Sequence, residues 1–269
     1  MTTSTHTTRR TVMGGIGLAA AAAAGGAIAP VQAQTARKTF VLVHGAWHGA
    51  WCWRRVADML EAKGHKVFVP TLTGLGDKSH LLDAKTNLTT HITDVVNLIK
   101  WEDLKDIVLV GHSYAGYVIS GVAEQMQPNI ASIVFLDAFV PEDGDSLAAG
   151  ASKPVKDALA TAKGKGELTL RPVPASVFRV NEKDRAWVDA KCTPQPIATM
   201  EEGVKVTGAR DKIAKKSYIR AKGYPSIPFD AAQAKYKAVA SWRSYEMLAG
   251  HDAMVDQPKE LTDILIAVA

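Results

Sequence analysis

A serine sits among small residues at the end of an apolar run, in Ile107-Val108-Leu109-Val110-Gly111-His112-Ser113-Tyr114-Ala115-Gly116. A sharp strand-to-helix turn needs small neighbours, exposes the hydroxyl at its apex, and sets it over a helix N-terminus that favours developing negative charge. The chemistry this permits is nucleophilic attack on a carbonyl. The usual spacing is Gly-x-Ser-x-Gly, and Ala115 occupies the fifth position, one methyl larger than the pattern asks. By itself the hexapeptide fits a tight turn with an incidental serine equally well.

Two further segments point the same way. His44-Gly45-Ala46-Trp47-His48-Gly49-Ala50-Trp51 follows the first apolar run, and a Gly-rich loop there can turn a backbone N–H toward an oxyanion. The expected donors are the N–H groups of Ala46 and of Tyr114, the residue after the serine. A general base must also return to Ser113, and His251 is the only histidine that follows it in the chain. It lies just past the last expected strand, where such a base belongs.

The elements that must carry these residues can be read from hydrophobic patterning. Short apolar, β-rich runs at 39–43, 66–69, 106–110, 132–136, 217–221 and 243–248 alternate with helical spacing at 51–63, 88–101, 114–127, 229–239 and 258–268. Alternation of this kind predicts a parallel, doubly wound sheet of six strands. Between 141 and 212 the pattern weakens into Lys, Pro and Ala with short helical pieces such as 182–189, which reads as a helical cap inserted after the strand that ends at Asp137. The cap is expected to lack a core of its own.

Composition bounds the remainder. Of 269 residues 47% are hydrophobic and 22% charged, a balance that supports one catalytic-size domain. Residues 1–33 carry Arg9-Arg10, an Ala/Gly-rich apolar stretch and a small-residue site at Val31-Gln32-Ala33, the pattern of a twin-arginine export signal. The domain then spans 34–269, and a periplasmic or secreted location is expected. The Ala/Gly stretch is too weakly apolar to favour a lasting membrane span. Two of the charges behind the net +5 are Arg9 and Arg10, so the basic excess is no nucleic-acid footprint. Cys52 and Cys192 stand alone, without metal-ligand spacing; they read more readily as small apolar groups than as a disulfide.

Phe40 to Ala46 with His48-Gly49-Ala50-Trp51, the Gly111-His112-Ser113 elbow, and Gly250-His251 before a short Met-containing loop together resemble the α/β-hydrolase superfamily. The narrower likeness is to its small esterase and hydroxynitrile-lyase group, which includes plant methyl-ester esterases. The resemblance spans nearly all of 34–269, the cap excepted. It implies an α/β-hydrolase fold, with a first strand that follows the leader almost at once. Hydroxynitrile lyases of the group carry threonine in place of Gly45 and lysine in place of Asp252, and without that cation cyanide release is not expected.

The resemblance also exposes a gap. Plant esterases of the group place their acid in the loop after the strand matching 217–221, but Lys222-Gly223-Tyr224-Pro225-Ser226-Ile227-Pro228 contains no carboxylate. Some relatives place it one strand earlier, where this chain has Asp137. An aspartate at the end of a buried strand needs a histidine or backbone donors to offset its desolvation, which favours Asp137 over Asp230 in the next helix.

These residues predict a serine carboxylesterase: Ser113 attacks, His251 carries the proton and Asp137 orients the imidazole, with no metal or cofactor. Trp47 and Met254 are expected to line an apolar pocket, with Trp51, Tyr114, Phe178 and Trp187 as further candidates, suiting a small hydrophobic or aromatic ester. A cofactor-free lyase or perhydrolase, or a ligand-binding module, are the alternatives on the same scaffold.

Overall fold

The structure, a computed structural model, describes residues 36–269. The export signal expected at 1–33 lies outside the described residues. Six strands, β1 (Thr39–Val43), β2 (Lys66–Phe68), β3 (Ile107–His112), β4 (Ile130–Leu136), β7 (Lys215–Ala221) and β8 (Trp242–Met247), form one sheet in the order β2-β1-β3-β4-β7-β8. Every neighbouring pair is parallel. A short antiparallel pair, β5 (Thr169–Leu170) with β6 (Gln195–Pro196), stands apart from it.

The strand residues explain why the sheet is buried on both faces. Val41, Val43, Leu109, Ile133 and Phe135 point into one apolar layer, completed by Val95 and Ile99 of helix α2 (Leu88–Trp101) and Val118 and Val122 of α3 (Ala115–Met126). Their neighbours Phe40, Leu42, Val108, Val110, Val134 and Leu136 point into the opposite layer, against Val56 and Leu60 of α1 (Arg54–Ala62). Alternation on a strand thus becomes two cores on one sheet. Each fully buried Leu, Val or Phe contributes about 1.5–3 kcal/mol. Asn87 closes the start of α2 through a reciprocal cap with Thr90, which is why that helix begins where its apolar stripe begins.

Between β4 and β7 the chain carries α4 (Leu147–Gly150), α5 (Lys153–Gly164), the β5–β6 ribbon, α6 (Glu182–Lys191) and α7 (Ile197–Glu201). Leu159, Ala162, Leu170, Ile197 and Met200 form a small cluster here, where no separate core was expected. Trp47, from the loop after β1, packs on it as well. Two-residue strands leave no alternation to read, so the ribbon has no sequence signal. Helix α8 (Ile227–Lys237) links β7 to β8, and α9 (Ala253–Asp256) and α10 (Pro258–Ala267) close the chain.

The order of strands decides where a site can form. The chain runs from β1 outward to β2 and then returns to the other side of β1 as β3, so β1 and β3 flank the point where the connections diverge. Loops leaving their carboxyl ends part there and open a crevice.

Candidate active site

Ser113 occupies the turn between β3 and α3 with φ +55°. A left-handed backbone at a non-glycine residue costs of the order of 1–3 kcal/mol and persists only where its surroundings enforce it. Here the Ser113 N–H donates to the Leu136 carbonyl at 3.2 Å, and its own carbonyl accepts from Gly116 at 3.1 Å and Phe139 at 3.3 Å. Gly116 is needed for close approach: a Cβ there would lie 1.8 Å from the Phe139 oxygen. Ala115, the departure from the motif, is fully buried and carries its methyl within the apolar layer.

His251 sits in the turn between β8 and α9. Its Nε2 lies 2.9 Å from Ser113 Oγ and its Nδ1 2.6 Å from Asp137 Oδ2. Its backbone is held on both sides: the N–H donates to Phe178 at 2.8 Å, and the carbonyl accepts from His112 Nε2 at 2.9 Å. The rings of Tyr224 (4.7 Å), Phe178 (5.3 Å) and Phe229 (5.4 Å, nearly parallel) enclose the imidazole.

Asp137, fully buried directly after β4, is also left-handed, with φ +41°. Its Oδ1 accepts from Arg220 Nη1 at 2.8 Å and from the Ala221 N–H at 3.1 Å, leaving Oδ2 for His251. Asp230 lies elsewhere, half-exposed, and pairs with Arg220 Nε at 3.1 Å and Lys222 Nζ at 2.9 Å. The structure therefore brings Ser113, His251 and Asp137 into one hydrogen-bonded chain and leaves Asp230 out of it. In the acid-free loop, Tyr224 supplies a ring against His251 and a carbonyl that accepts from Arg220 Nη2 at 2.6 Å.

Arg220 escaped sequence reasoning. Burial opposes its charge, but Asp137 and Asp230 outweigh burial and raise its pKa above the ordinary value. Its one signal is a cation at the penultimate position of a strand buried over most of its length, a place that demands a buried partner.

The loop after β1 lies against the serine: a Cβ on Gly45 would come within 3.0 Å of Ser113 Cβ. Neither the Ala46 nor the Tyr114 N–H donates to a protein acceptor among the described residues. His44 aligns the Gly45–Ala46 peptide, its Nδ1 donating to the Gly45 carbonyl at 2.8 Å while its Nε2 accepts from Leu72 N–H at 3.0 Å. Burial pushes the His44 pKa down to about 3, so the ring works as a neutral donor.

Next in the loop, His48 Nδ1 donates to the Ala46 carbonyl at 2.7 Å and Nε2 to Asp252 Oδ2 at 3.0 Å. Two acceptors require both nitrogens to carry protons, hence an imidazolium. Burial works against that charge, yet Asp252 raises the His48 pKa above its ordinary value. Burial alone would raise the Asp252 carboxyl, whereas His48 holds it well below the usual carboxylate range.

The aromatic and apolar candidates divide. Trp47 is half-buried with its ring 6.0 Å from Phe178. Trp51 stacks on His48 at 5.2 Å and meets Trp187 edge-on at 5.0 Å. The Tyr114 ring is buried, its phenol 3.0 Å from His91 Nδ1, so this residue offers the site its backbone and not its side chain. Met254 is a correction: it has no exposed surface and fills the apolar layer with Trp53 and Val110, because the short helix α9 turns it inward. Cys52 and Cys192 are both free thiols. Among the described residues no cluster of three or more His, Cys, Asp or Glu could hold a metal ion, and no helix is long and apolar enough to cross a membrane.

Residues 40–264 match the model of the "Alpha/beta hydrolase family", and the chain belongs to that family, within its esterase-type branch. It is 42% identical over 238 residues to a carbendazim hydrolyzing esterase of Nocardioides sp. (strain SG-4G), covering 85% of this chain and 98% of that one. Methylesterase 7 of Arabidopsis thaliana is 37% identical over 123 residues, 45% of this chain and 47% of its own length. Among solved structures, an extracellular alpha/beta-hydrolase from a Paenibacillus species, described as sharing structural and functional homology with tobacco salicylic acid binding protein 2, superposes with a TM-score of 0.75 at 28% identity. That match covers 86% of this chain and 99% of the other.

Proposed function

We propose that the protein is a serine carboxylesterase for small apolar or aromatic esters. The observation that carries this reading is the unbroken chain from Ser113 Oγ through His251 to Asp137, at 2.9 and 2.6 Å. His251 takes the serine proton as Ser113 attacks the ester carbonyl, the Ala46 and Tyr114 N–H groups receive the oxyanion, and the alcohol leaves with the proton from His251. Water then attacks the acyl-enzyme by the same relay in reverse. Phe178, Tyr224 and Phe229 around the imidazole suit an apolar substrate. Asp252, a buried anion in place of the lyase group's lysine, supports hydrolysis over cyanide chemistry.

Identity to an esterase named for carbendazim makes carbendazim the first substrate to assay, beside p-nitrophenyl esters of increasing chain length. A fluorophosphonate should label wild type at Ser113 and spare Ser113→Ala. No turnover together with no labelling would refute the esterase reading and favour a binding module. Arg9 and Arg10 support export by the twin-arginine route, which would place the enzyme outside the cytoplasm.

A further inference from the structure

An oxyanion hole stabilises charge only if its donors are already in place when charge develops. Trp47, the residue directly after Ala46, has φ +65°, a conformation in which a bulky side chain crowds its own backbone. Something must hold it there. Beside the hold of His48 on the Ala46 carbonyl, Trp47 itself makes three hydrogen bonds, and all three come from the segment between β4 and β7. The Trp47 N–H donates to Gln195 Oε1 at 2.9 Å, the indole N–H donates to the Leu170 carbonyl at 3.1 Å, and the Trp47 carbonyl accepts from the Thr193 N–H at 2.8 Å.

Gln195 is suited to the task. It is fully buried on β6, and its Nε2 donates to Thr199 Oγ1 at 2.6 Å, which in turn donates to the Pro196 carbonyl at 2.6 Å. Those two bonds fix which end of the amide faces Trp47, since a flipped amide would set its NH₂ against the Trp47 N–H. The β5–β6 ribbon thereby acquires a purpose: it presents the Leu170 carbonyl and the Gln195 amide side by side to one tryptophan.

Resting on the serine-esterase reading above, we propose that Gln195, braced by Thr199, is a positioning residue: it clamps Trp47 and so sets the Ala46 N–H, making oxyanion stabilisation depend on a seated cap. With the clamp released, Trp47 relaxes toward negative φ and the Ala46 N–H turns away from Ser113. Substrate binding, which does not need that N–H, changes little. A change in the cap that shifts β6 then alters turnover before it alters affinity.

The test compares a p-nitrophenyl ester with its matching thionoester, whose sulfur accepts hydrogen bonds poorly and gains little from the hole. Gln195→Leu keeps the volume and removes the acceptor. The expected result is a fall in kcat of about tenfold on the oxoester, with KM within about twofold and a much smaller fall on the thionoester, so that the rate ratio between them narrows about tenfold. Equal slowing of both substrates, or no slowing, in a protein that melts like wild type overturns the proposal. Should Gln195→Leu fail to fold, Thr199→Val, which frees the amide and gives up the bond to the Pro196 carbonyl, decides by the same ratio. Phosphonate labelling of wild type in parallel separates the two ideas. Wild type without labelling or turnover brings down the esterase reading and the clamp with it; an active wild type with an unmoved ratio brings down the clamp alone.

Discussion

Arg220 Nη1 lies 2.8 Å from Asp137 Oδ1, while the other oxygen of the same carboxylate, Oδ2, faces His251 Nδ1 at 2.6 Å. The carboxylate is therefore shared between a permanent cation and the imidazole. A nearby cation weakens the pull of Asp137 on a protonated His251. Replacing Arg220 with Met should remove one of the two donors on Asp137 Oδ1, leave the carboxylate that orients His251 less firmly held, and lower kcat on a p-nitrophenyl ester. Opening a buried pair should also cost about 3–5 kcal/mol in urea unfolding.

Asp137 and Asp230 make a paired comparison. Asp137→Asn should reduce kcat by about 10⁴-fold, because an amide cannot stabilise the imidazolium or hold the productive tautomer. Asp230→Asn removes only a half-exposed partner of Arg220 and Lys222, and should leave kcat within about threefold of wild type. Steady-state kinetics on one p-nitrophenyl ester would decide between the two; a larger loss from Asp230→Asn would reverse the assignment.

At the elbow, two small residues should respond oppositely. Gly116→Ala puts a methyl 1.8 Å from a backbone oxygen that has little room to move, so soluble expression or cooperative melting should be lost. Ala115→Gly, which restores the usual spacing, should cost about 1 kcal/mol of stability and leave turnover intact. Thermal melts and initial rates of both variants check this.

The histidines set the expected response to acid. His44, His91 and His112 are buried and neutral, and burial lowers all three below the ordinary 6.5, to about 3 for His44 and about 4 for His91. A depressed folded pKa contributes stability that is present above the unfolded value and lost as pH falls through the folded one. Stability should thus begin to fall below pH 6.5, well before the carboxylates titrate. His48 has the opposite sign, since its raised pKa gives stability that is complete below 6.5 and lost as pH climbs through the folded value. Tm measured from pH 4 to 9 should form a dome, and His48→Gln should flatten its alkaline side. An unchanged alkaline slope in that variant would count against the imidazolium.

The sheet and the serine–histidine pair were legible because they depend on local pattern. Apolar runs of strand length announced β1, β3 and β4, and His251 was the only histidine left downstream. The cost of burying a carboxylate favoured Asp137 over Asp230 from sequence, but the donors that seat it, Ala221 N–H and Arg220, follow from the register of β4 beside β7 and carry no local signal. The grip of Gln195 on Trp47 spans 148 positions and joins a two-residue strand to a loop, so no periodicity reports it. Met254 lies near His251 in sequence, but Ala253, Met254 and Val255 are all buried in the one-turn helix α9, and nearness along the chain does not report which way a side chain points.

Seating the carboxylate on β4 has a consequence for redesign. Ser113 and Asp137 end adjacent strands and are tied by the Ser113 N–H bond to Leu136, so nucleophile and acid move as one piece. The loop 222–228, which contains no carboxylate, contributes a ring and a carbonyl to this centre. Redesign of this loop can therefore keep Tyr224, whose ring and carbonyl touch His251 and Arg220, and vary its neighbours without moving the serine or the acid.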